Sequence, residues 1–340
     1  MMKKLNIAVV GATGAVGKSV FEVLSERDFP IQNIYPLASA KSVGTTVTFN
    51  NQEFDVLDLE NFSFIDVDIA IFSAGGSVSR DYAPIAAAEG CVVIDNTSHF
   101  RYEDDIPLVV PEVNPEDIAK YTTRNIIANP NCSTIQMVVA LKPLHDVAKI
   151  SRINVATYQA VSGSGKAAID ELISQSGNLL NGIPVKPEVY SKQIAFNVLP
   201  HIDKFEENGY TKEEMKMVWE TRKILGDDSI LVNPTAVRVP VLYGHSEAIH
   251  VEFKEPISAE TARKILKKAP GVKVIDNIAK LQYPTAISDA TGSDLVYVGR
   301  IREDISHKSG LNLWVVADNI RKGAATNAVQ IAEILYRDYL

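Results

Sequence analysis

Cysteine is nearly absent from this 340-residue chain, with only Cys91 and Cys132 present. Two thiols cannot build a disulfide scaffold, and so few in a chain of this length point to an intracellular protein whose thiols are either buried or chemically used. Positive charge is also in deficit: 34 Lys and Arg face 42 Asp and Glu, a formal net charge of −8. That balance excludes the broad basic surface of a general nucleic-acid binder. No uninterrupted apolar run reaches the roughly 18 residues of a membrane span. The apolar stretch after Lys3-Lys4 is interrupted at Gly11 and Gly14, too early for a secretory leader. The expected location is the cytoplasm, without membrane or nucleic-acid partners. Apolar residues are not lacking: at 46% they are too many for a solvated coil. The length exceeds the usual size of one hydrophobic core, so two domains are expected.

The first part of the chain alternates short apolar runs with helical patterns. Residues 5–10, 65–72, 91–94 and 125–128 read as strands bounded by turn residues, with a helix over 18–26. Strands separated by helices predict parallel βαβ units, and their near-continuous apolarity predicts a sheet covered on both faces. Residues 152–161, 230–241, 247–254, 294–302 and 310–316 read instead as longer strands, several of which alternate apolar and polar residues. That pattern predicts a half-covered, mixed or largely antiparallel sheet. Helices are expected over 167–180, 211–225, 259–268 and 322–339. The expected seam lies near Asn131. The resulting division is 1–131 plus a returning C-terminal helix, 320–340, against 132–319.

Gly11, Gly14 and Gly17 follow the first strand and open the first helix, in Gly11-Ala12-Thr13-Gly14-Ala15-Val16-Gly17. Such glycines allow a tight turn and the close approach of a pyrophosphate to unpaired helix N–H groups. The region where an NAD site carries an acid on the ribose 2′-hydroxyl reads Ser39-Ala40-Lys41-Ser42, with no acid. A lysine and hydroxyls suit a 2′-phosphate, so NADP is the expected cofactor.

Gly163-Ser164-Gly165-Lys166 is not a P-loop, because Ala160 and Ala167 stand where that pattern needs Gly and Ser or Thr. His245 and His250 are five apart on a strand-like run and face opposite sides, so no metal site is expected. Cys132 differs from Cys91. It sits in Asn129-Pro130-Asn131-Cys132-Ser133-Thr134-Ile135-Gln136, between a strand and a helix whose inner side carries Ile135, Val138, Val139 and Leu141. A helix N-terminus favours thiolate, whereas Gly90-Cys91-Val92 reads as a buried small hydrophobe. Thr211-Lys212-Glu213-Glu214 fits a capping box, followed by an expected buried stripe of Met215, Val218, Trp219 and Leu225 that stops at Gly226.

Three segments occur together and in order: the glycine loop at 11–17, Asn-Pro-Asn-Cys-Ser-Thr-Ile-Gln at 129–136, and Gly-His-Ser-Glu at 244–247. Together they resemble the aspartate-semialdehyde dehydrogenases over essentially the whole chain. The resemblance implies an α/β protein of glyceraldehyde-phosphate dehydrogenase-like architecture: a Rossmann-type dinucleotide domain plus a mixed-sheet α+β catalytic and dimerisation domain. It implies NADPH-dependent, reversible conversion of aspartyl phosphate to aspartate semialdehyde and phosphate, in the biosynthesis of lysine, threonine, methionine and isoleucine. A homodimer, or a dimer of such dimers, is implied too.

Position by position, the resemblance makes Cys132 the nucleophile that forms a thioester, His245 the general acid/base and Gln159 the residue that orients the substrate. Arg238 would hold the substrate carboxylate. Arg101 and Lys216 would meet phosphate, with Glu213 close by, and Asn131 would steady the oxyanion. Cofactor contacts would fall to Gly11, Thr13, Gly14, Ala15, Val16, Lys41, Ser42, Ser73, Ala74, Ser162, Gly163 and Asn319. Arg238 and His245 are seven apart, so one regular strand would point them apart. Pro240 and Gly244 must therefore bend the chain. Two other readings are an N-acetylglutamyl-phosphate reductase, which shares the chemistry but carries a different cysteine segment, and a non-catalytic NADP-binding relative, which would lack the thiol or the imidazole.

Overall fold

A computed structural model describes residues 4–340. The chain divides into two compact units: the described residues through Asn131 together with Ala324–Leu340, and Cys132–Gly323. The chain therefore rejoins the first unit at Ala324.

The first unit is built on a six-stranded sheet of β1 (Leu5–Val10), β2 (Ile31–Ala38), β5 (Leu57–Asp58), β6 (Ile69–Phe72), β7 (Val92–Asp95) and β8 (Ile126–Ala128), with a hairpin of β3 (Thr46–Phe49) and β4 (Gln52–Asp55) beside it. The order is β5-β2-β1-β6-β7-β8 and every pair in the sheet is parallel. All residues of β6 and β7 are buried, as a sheet covered on both faces requires. Helices α1 (Ala15–Glu26) and α2 (Gly76–Ala88) follow β1 and β6. The last helix of the chain, Thr326–Asp338, packs against α1 and β7 through Ala328, Val329, Ile331, Ala332 and Leu335. Because β2 and β6 leave the central β1 in opposite directions, the crevice for a ligand lies at the carboxyl end of β1.

The second unit opens with α3 (Cys132–Ala148) and carries a six-stranded mixed sheet of β9 (Ile150–Gln159), β10 (Leu231–Arg238), β11 (His245–Phe253), β12 (Val272–Val274), β13 (Val296–Glu303) and β14 (Gly310–Ala317), in the order β10-β9-β11-β14-β13-β12. The β10–β9 and β12–β13 pairs are parallel and the other three antiparallel. Helices α4 (Lys166–Leu180), α5 (Lys212–Leu225) and α6 (Ala259–Leu266) complete the unit, and Thr326–Asp338 is then α7. The alternation expected of a half-covered sheet is present in β11, where Ile249, Val251 and Phe253 are buried and Ala248, His250 and Glu252 are half-buried.

Two sequence expectations need correction. The first turns of α3 have no single inner side, because every residue from Ser133 to Leu141 is buried, Ser133, Thr134 and Gln136 included. On α5 the buried residues are Glu213, Glu214, Met217, Val218, Glu220, Thr221 and Ile224, whereas Trp219 is 39% exposed and Met215 and Leu225, also expected inside, are half-buried. The capping box forms as expected, but Glu214 does more than cap. Its Oε2 accepts from the Thr211 amide at 2.7 Å and its Oε1 from the Ala236 amide of β10 at 2.9 Å. That grip on the sheet turns the helix so that positions i, i+3, i+4 and i+7 counted from Glu214 face inward, which rotates Trp219 out.

Candidate active site

The register of the mixed sheet explains why distant residues meet. Gln159 ends β9 and Arg238 ends its parallel neighbour β10, and the two are direct register partners. β11 runs the other way, so its first residue, His245, lies at the same sheet end. β14 is antiparallel to β11 and pairs Ala317 with His245, which brings Asp318 and Asn319 there too. α3 leads directly into β9 and runs back along it, so its first residue, Cys132, returns to that end.

His245 is fully buried. Its Nδ1 accepts from the Ala160 amide at 3.0 Å, while Nε2 has no partner among the described residues. Burial, reinforced by the Arg238 guanidinium and only partly offset by Glu213, pushes the His245 pKa down to about 3. Arg238 Nη1 donates to the Ala160 carbonyl at 2.6 Å, and its buried Nε has no hydrogen-bond partner among the described residues. Gly163 borders both groups: a Cβ there would lie 3.2 Å from Arg238 Nη1 and 3.5 Å from His245 Nε2. The structure thus brings Arg238 and His245 to one space, across the bend expected at Pro240 and Gly244.

Gln159 Nε2 donates to Glu213 Oε1 at 3.2 Å, and Glu213 Oε2 accepts from Lys216 Nζ at 2.8 Å. Lys216 also donates to Asp203 Oδ2 at 2.8 Å. Burial opposes the lysine charge, but Glu213 and Asp203 outweigh it and hold its pKa well above the usual lysine value. Asp203 escaped the sequence reading, since no spacing links it to α5.

Ser162 and Asn319 are buried and hydrogen-bond each other at 2.9–3.1 Å, and Asn319 Oδ1 also accepts the Gly244 amide at 3.0 Å. Both side chains thus fasten the segments around His245 from within. Cys132 is half-buried at the first position of α3. Gly323 makes room for it: a Cβ there would sit 2.7 Å from Cys132 Cβ. One turn further along α3, Gln136 Nε2 lies 3.4 Å from the His245 carbonyl and can donate to it.

Glu247 was also missed, although its position two residues beyond His245 puts it on the same strand face. It is fully buried, and burial raises its pKa well above the ordinary carboxylate range despite the facing Gln136 amide. Such a carboxyl keeps on folding a proton that the unfolded chain gives up. Its contribution is therefore complete below the ordinary carboxylate pKa and is lost as pH rises toward the folded value. Glu247→Gln should remove that dependence. Relative to the parent, its unfolding free energy should rise as pH climbs above the ordinary carboxylate range, at up to ~1.4 kcal/mol per pH unit. A pH-independent Tm difference in thermal unfolding would rule this out.

In the first unit, Gly11 has φ +87°, and a Cβ there would meet the Ser73–Ala74 backbone at 2.9 Å. At Gly17 a Cβ would lie 2.2 Å from the Gly11 carbonyl, so only glycine lets the loop fold onto α1. No side chain caps the first turn of α1, and Gly14 and Ala15 are exposed, with Thr13 and Val16 half-buried. The Gly11 and Ala12 amides both donate to the Leu37 carbonyl, which sets the end of β2 beside the loop. Lys41, exposed, and Ser42, half-buried, follow in a short turn, Ala40–Ser42. Arg101 is buried and donates to the Asn96 carbonyl at 2.8 Å, in a loop that the buried Asp95 ties down through Ser79 and Thr97. Asn131 is buried at the end of this unit. Cys91 is wholly buried, and burial raises its thiol pKa, as an inert cysteine requires. Among the described residues, no group of three or more His, Cys, Asp or Glu side chains could hold a metal ion, and no helix is long and apolar enough to cross a membrane.

The family model described as semialdehyde dehydrogenase, NAD binding domain, matches residues 6–121, and that of the semialdehyde dehydrogenase dimerisation domain matches 141–322. An aspartate-semialdehyde dehydrogenase of Legionella pneumophila is 69% identical over 340 residues, covering 100% of this chain and 98% of the relative. The chain belongs to the aspartate-semialdehyde dehydrogenase family. Among solved structures, aspartate-semialdehyde dehydrogenase II of Vibrio cholerae complexed with ASA superposes with a TM-score of 0.98 at 60% identity, covering 99% of this chain and 100% of that one. An aspartate-semialdehyde dehydrogenase with NADP from Candida albicans gives 0.76 at 26% identity, covering 98% of each chain. As a member of this family the protein is an oxidoreductase of amino-acid biosynthesis, with a Rossmann-type domain for a nicotinamide dinucleotide and a dimerisation domain.

Proposed function

We propose that this protein is an NADP-dependent, phosphorylating aspartate-semialdehyde dehydrogenase that works through a thioester on Cys132, in the cytoplasmic route to lysine, threonine, methionine and isoleucine. The observation that carries this reading is the meeting, at one end of the mixed sheet, of a buried imidazole with an open Nε2, a buried guanidinium, and a Gln159–Glu213–Lys216 network, in the unit whose first residue is a helix-opening thiol.

Cys132 attacks the acyl carbon of aspartyl phosphate, forming the C–S bond as the phosphate oxygen takes the bonding pair and leaves. Gln159 orients the substrate and Arg238 grips its α-carboxylate with two N–H groups. Lys216 is a proposed phosphate ligand, held in place by Glu213, and Arg101 is another. Asn131 supports the oxyanion, and His245 serves as the general acid/base.

The glycine loop, the uncapped first turn of α1 and the exposed Lys41 fit a dinucleotide with a 2′-phosphate. Gly11, Thr13, Gly14, Ala15, Val16, Ser73 and Ala74 would hold its pyrophosphate half, and Lys41 and Ser42 its 2′-phosphate. Ser162, Gly163 and Asn319 would shape the nicotinamide end. When bound, this cofactor supplies or takes up a hydride. The open face of the mixed sheet, with Tyr158 and Trp314 in ring contact at 5.5 Å, suits a second copy of the chain, giving a homodimer or a dimer of dimers.

The reading is tested by following NADPH absorbance with aspartate semialdehyde and phosphate. Turnover should need both, and turnover with N-acetylglutamate semialdehyde instead would replace it. Lys41→Glu puts a negative charge where the 2′-phosphate is expected. NADP affinity should fall roughly tenfold while NAD affinity barely moves. Equal losses in parallel titrations would remove Lys41 from that site.

A further inference from the structure

We propose that Glu247 is a positioning residue: with Gln136 it forms a bridge through the packed interior that sets the start of α3, which carries Cys132, against the start of β11. The proposal rests on the reading of Cys132 as the nucleophile, and Glu247 itself takes part in no step of the reaction.

The strand register puts this acid in a dry place. On β11, Glu247 lies opposite Thr157 of β9 and Val315 of β14. All three are fully buried, and α3 packs across these strands. The groups set against the carboxyl are uncharged: Thr157 from β9, Val315 from β14 and Gln136 from α3. Both carboxyl oxygens lack a hydrogen-bond partner among the described residues. An ionised carboxylate would be stranded there, so the group keeps its proton.

Gln136 links this acid to the strand start. Its Nε2 carries two hydrogens. One is within reach of the His245 carbonyl, at 3.4 Å. The other serves the Glu247 carboxyl, which the amide faces. One amide of α3 thus holds β11 at two points, a main-chain carbonyl and a side chain two residues further on.

Stability does not call for such a pair. Glu247 Oε1 and Oε2 and Gln136 Oε1 are all buried without a partner among the described residues. Two apolar side chains of the same shape would fill the space without orphaned oxygens. The next residues of α3, Met137, Val138 and Val139, are buried apolar groups of that kind. What an apolar pair cannot supply is direction. Apolar contact is indifferent to small slides of a helix over a sheet, whereas a hydrogen bond has a preferred length and angle. Gln136 lies about one helical turn from Cys132. The bridge therefore fixes the helix whose first residue is Cys132 on the strand whose first residue is His245. A misplacement of about 1 Å at a reacting group is enough to cost about 10²-fold in rate.

The test uses variants that separate positioning from packing. Glu247→Gln keeps an uncharged acceptor for the Gln136 amide, and its kcat should stay within about threefold of the parent. Glu247→Met and Gln136→Met each remove the bridge. Their kcat should fall about 10- to 100-fold. KM for semialdehyde and for phosphate should barely move, because Arg238 and Lys216 are held by other residues. The double variant, Gln136→Met with Glu247→Met, strands no side-chain oxygen. Its midpoint in urea unfolding should equal or exceed the parent's, yet its kcat should stay as low as in either single variant. Recovery of parental kcat in the double variant would show that the pair serves packing alone and would overturn the proposal. So would losses that fall on KM, or a loss in Glu247→Gln as large as in Glu247→Met, which would give the carboxyl proton a part in the chemistry. A readout without substrate is NMR of 13C-histidine-labelled protein, with the His245 signal assigned by its disappearance in His245→Asn. That signal should move in both single Met variants and hold its place in Glu247→Gln. A signal unmoved in the Met variants would equally overturn the proposal. If Glu247→Met does not fold, Gln136→Met and the double variant carry the comparison. A parent without turnover of semialdehyde and phosphate would defeat the proposed function instead, and the histidine signal would still report on the bridge.

Discussion

Cys132→Ala should lose turnover by about 10⁴-fold or more, because the variant has no atom that can carry the acyl group between its two leaving events. The loss should be confined to kcat. Cys132 is half-buried at the start of α3, and alanine keeps the Cβ that faces Gly323, so fold and NADP binding should survive. Cys91→Ala is the matched comparison. That thiol is wholly buried in the first unit, and its loss should cost some stability and little activity. The measurement is steady-state turnover of both variants with a cofactor-binding titration beside it. A Cys132→Ala protein retaining a few per cent of wild-type rate would end the thioester mechanism.

The second large effect separates the two anions of the substrate. Arg238→Lys keeps the charge but loses the two-pronged grip on the carboxylate. We expect a loss of roughly 1.5–3 kcal/mol, about 10- to 150-fold in kcat/KM for semialdehyde, with phosphate KM nearly unchanged. Lys216→Ala should do the reverse, raising phosphate KM. It also strands Asp203 and Glu213 without their shared cation, so a modest stability loss should accompany it. Arg238 meets the chain through Ala160, whereas Lys216 does so through Asp203 and Glu213. If the two anions are held by separate side chains, the two effects should add in the double variant. Reverse-direction kinetics, varying semialdehyde and phosphate separately, decide the matter. If the two KM effects were exchanged, the two roles would have to be exchanged.

Some of this site could be read in one dimension and some could not. The position of Cys132 between a strand and a helix is a local pattern, and so are the glycine loop and the capping box at Thr211. The meeting of Gln159, Arg238 and His245 is set by strand order and register, which join residues 86 apart with no shared local signal. Asp203 escaped for the same reason, whereas Glu247 carried a local signal, two residues beyond His245 on one strand face. Trp219 misled because periodicity weighs apolar residues, while the orientation of α5 is fixed by a buried acid, Glu214, gripping an amide of β10. The same bias hid the all-round burial of α3, whose polar Ser133, Thr134 and Gln136 lie inside with the apolar residues.

The return of α7 to the first unit has a consequence for how the protein is made. Its apolar side fills the face of the first sheet beside α1 and β7, yet it is translated roughly 200 residues after β8, the last strand of that sheet. At about 5–20 residues per second, the ribosome leaves that face bare for roughly 10–40 s. The whole second unit emerges in the interval and can pair its strands without waiting. The nascent dinucleotide half is therefore the portion that holdase chaperones should bind during synthesis. A ribosome-stalled chain ending before Thr326 should carry more bound chaperone than one in which α7 has cleared the exit tunnel.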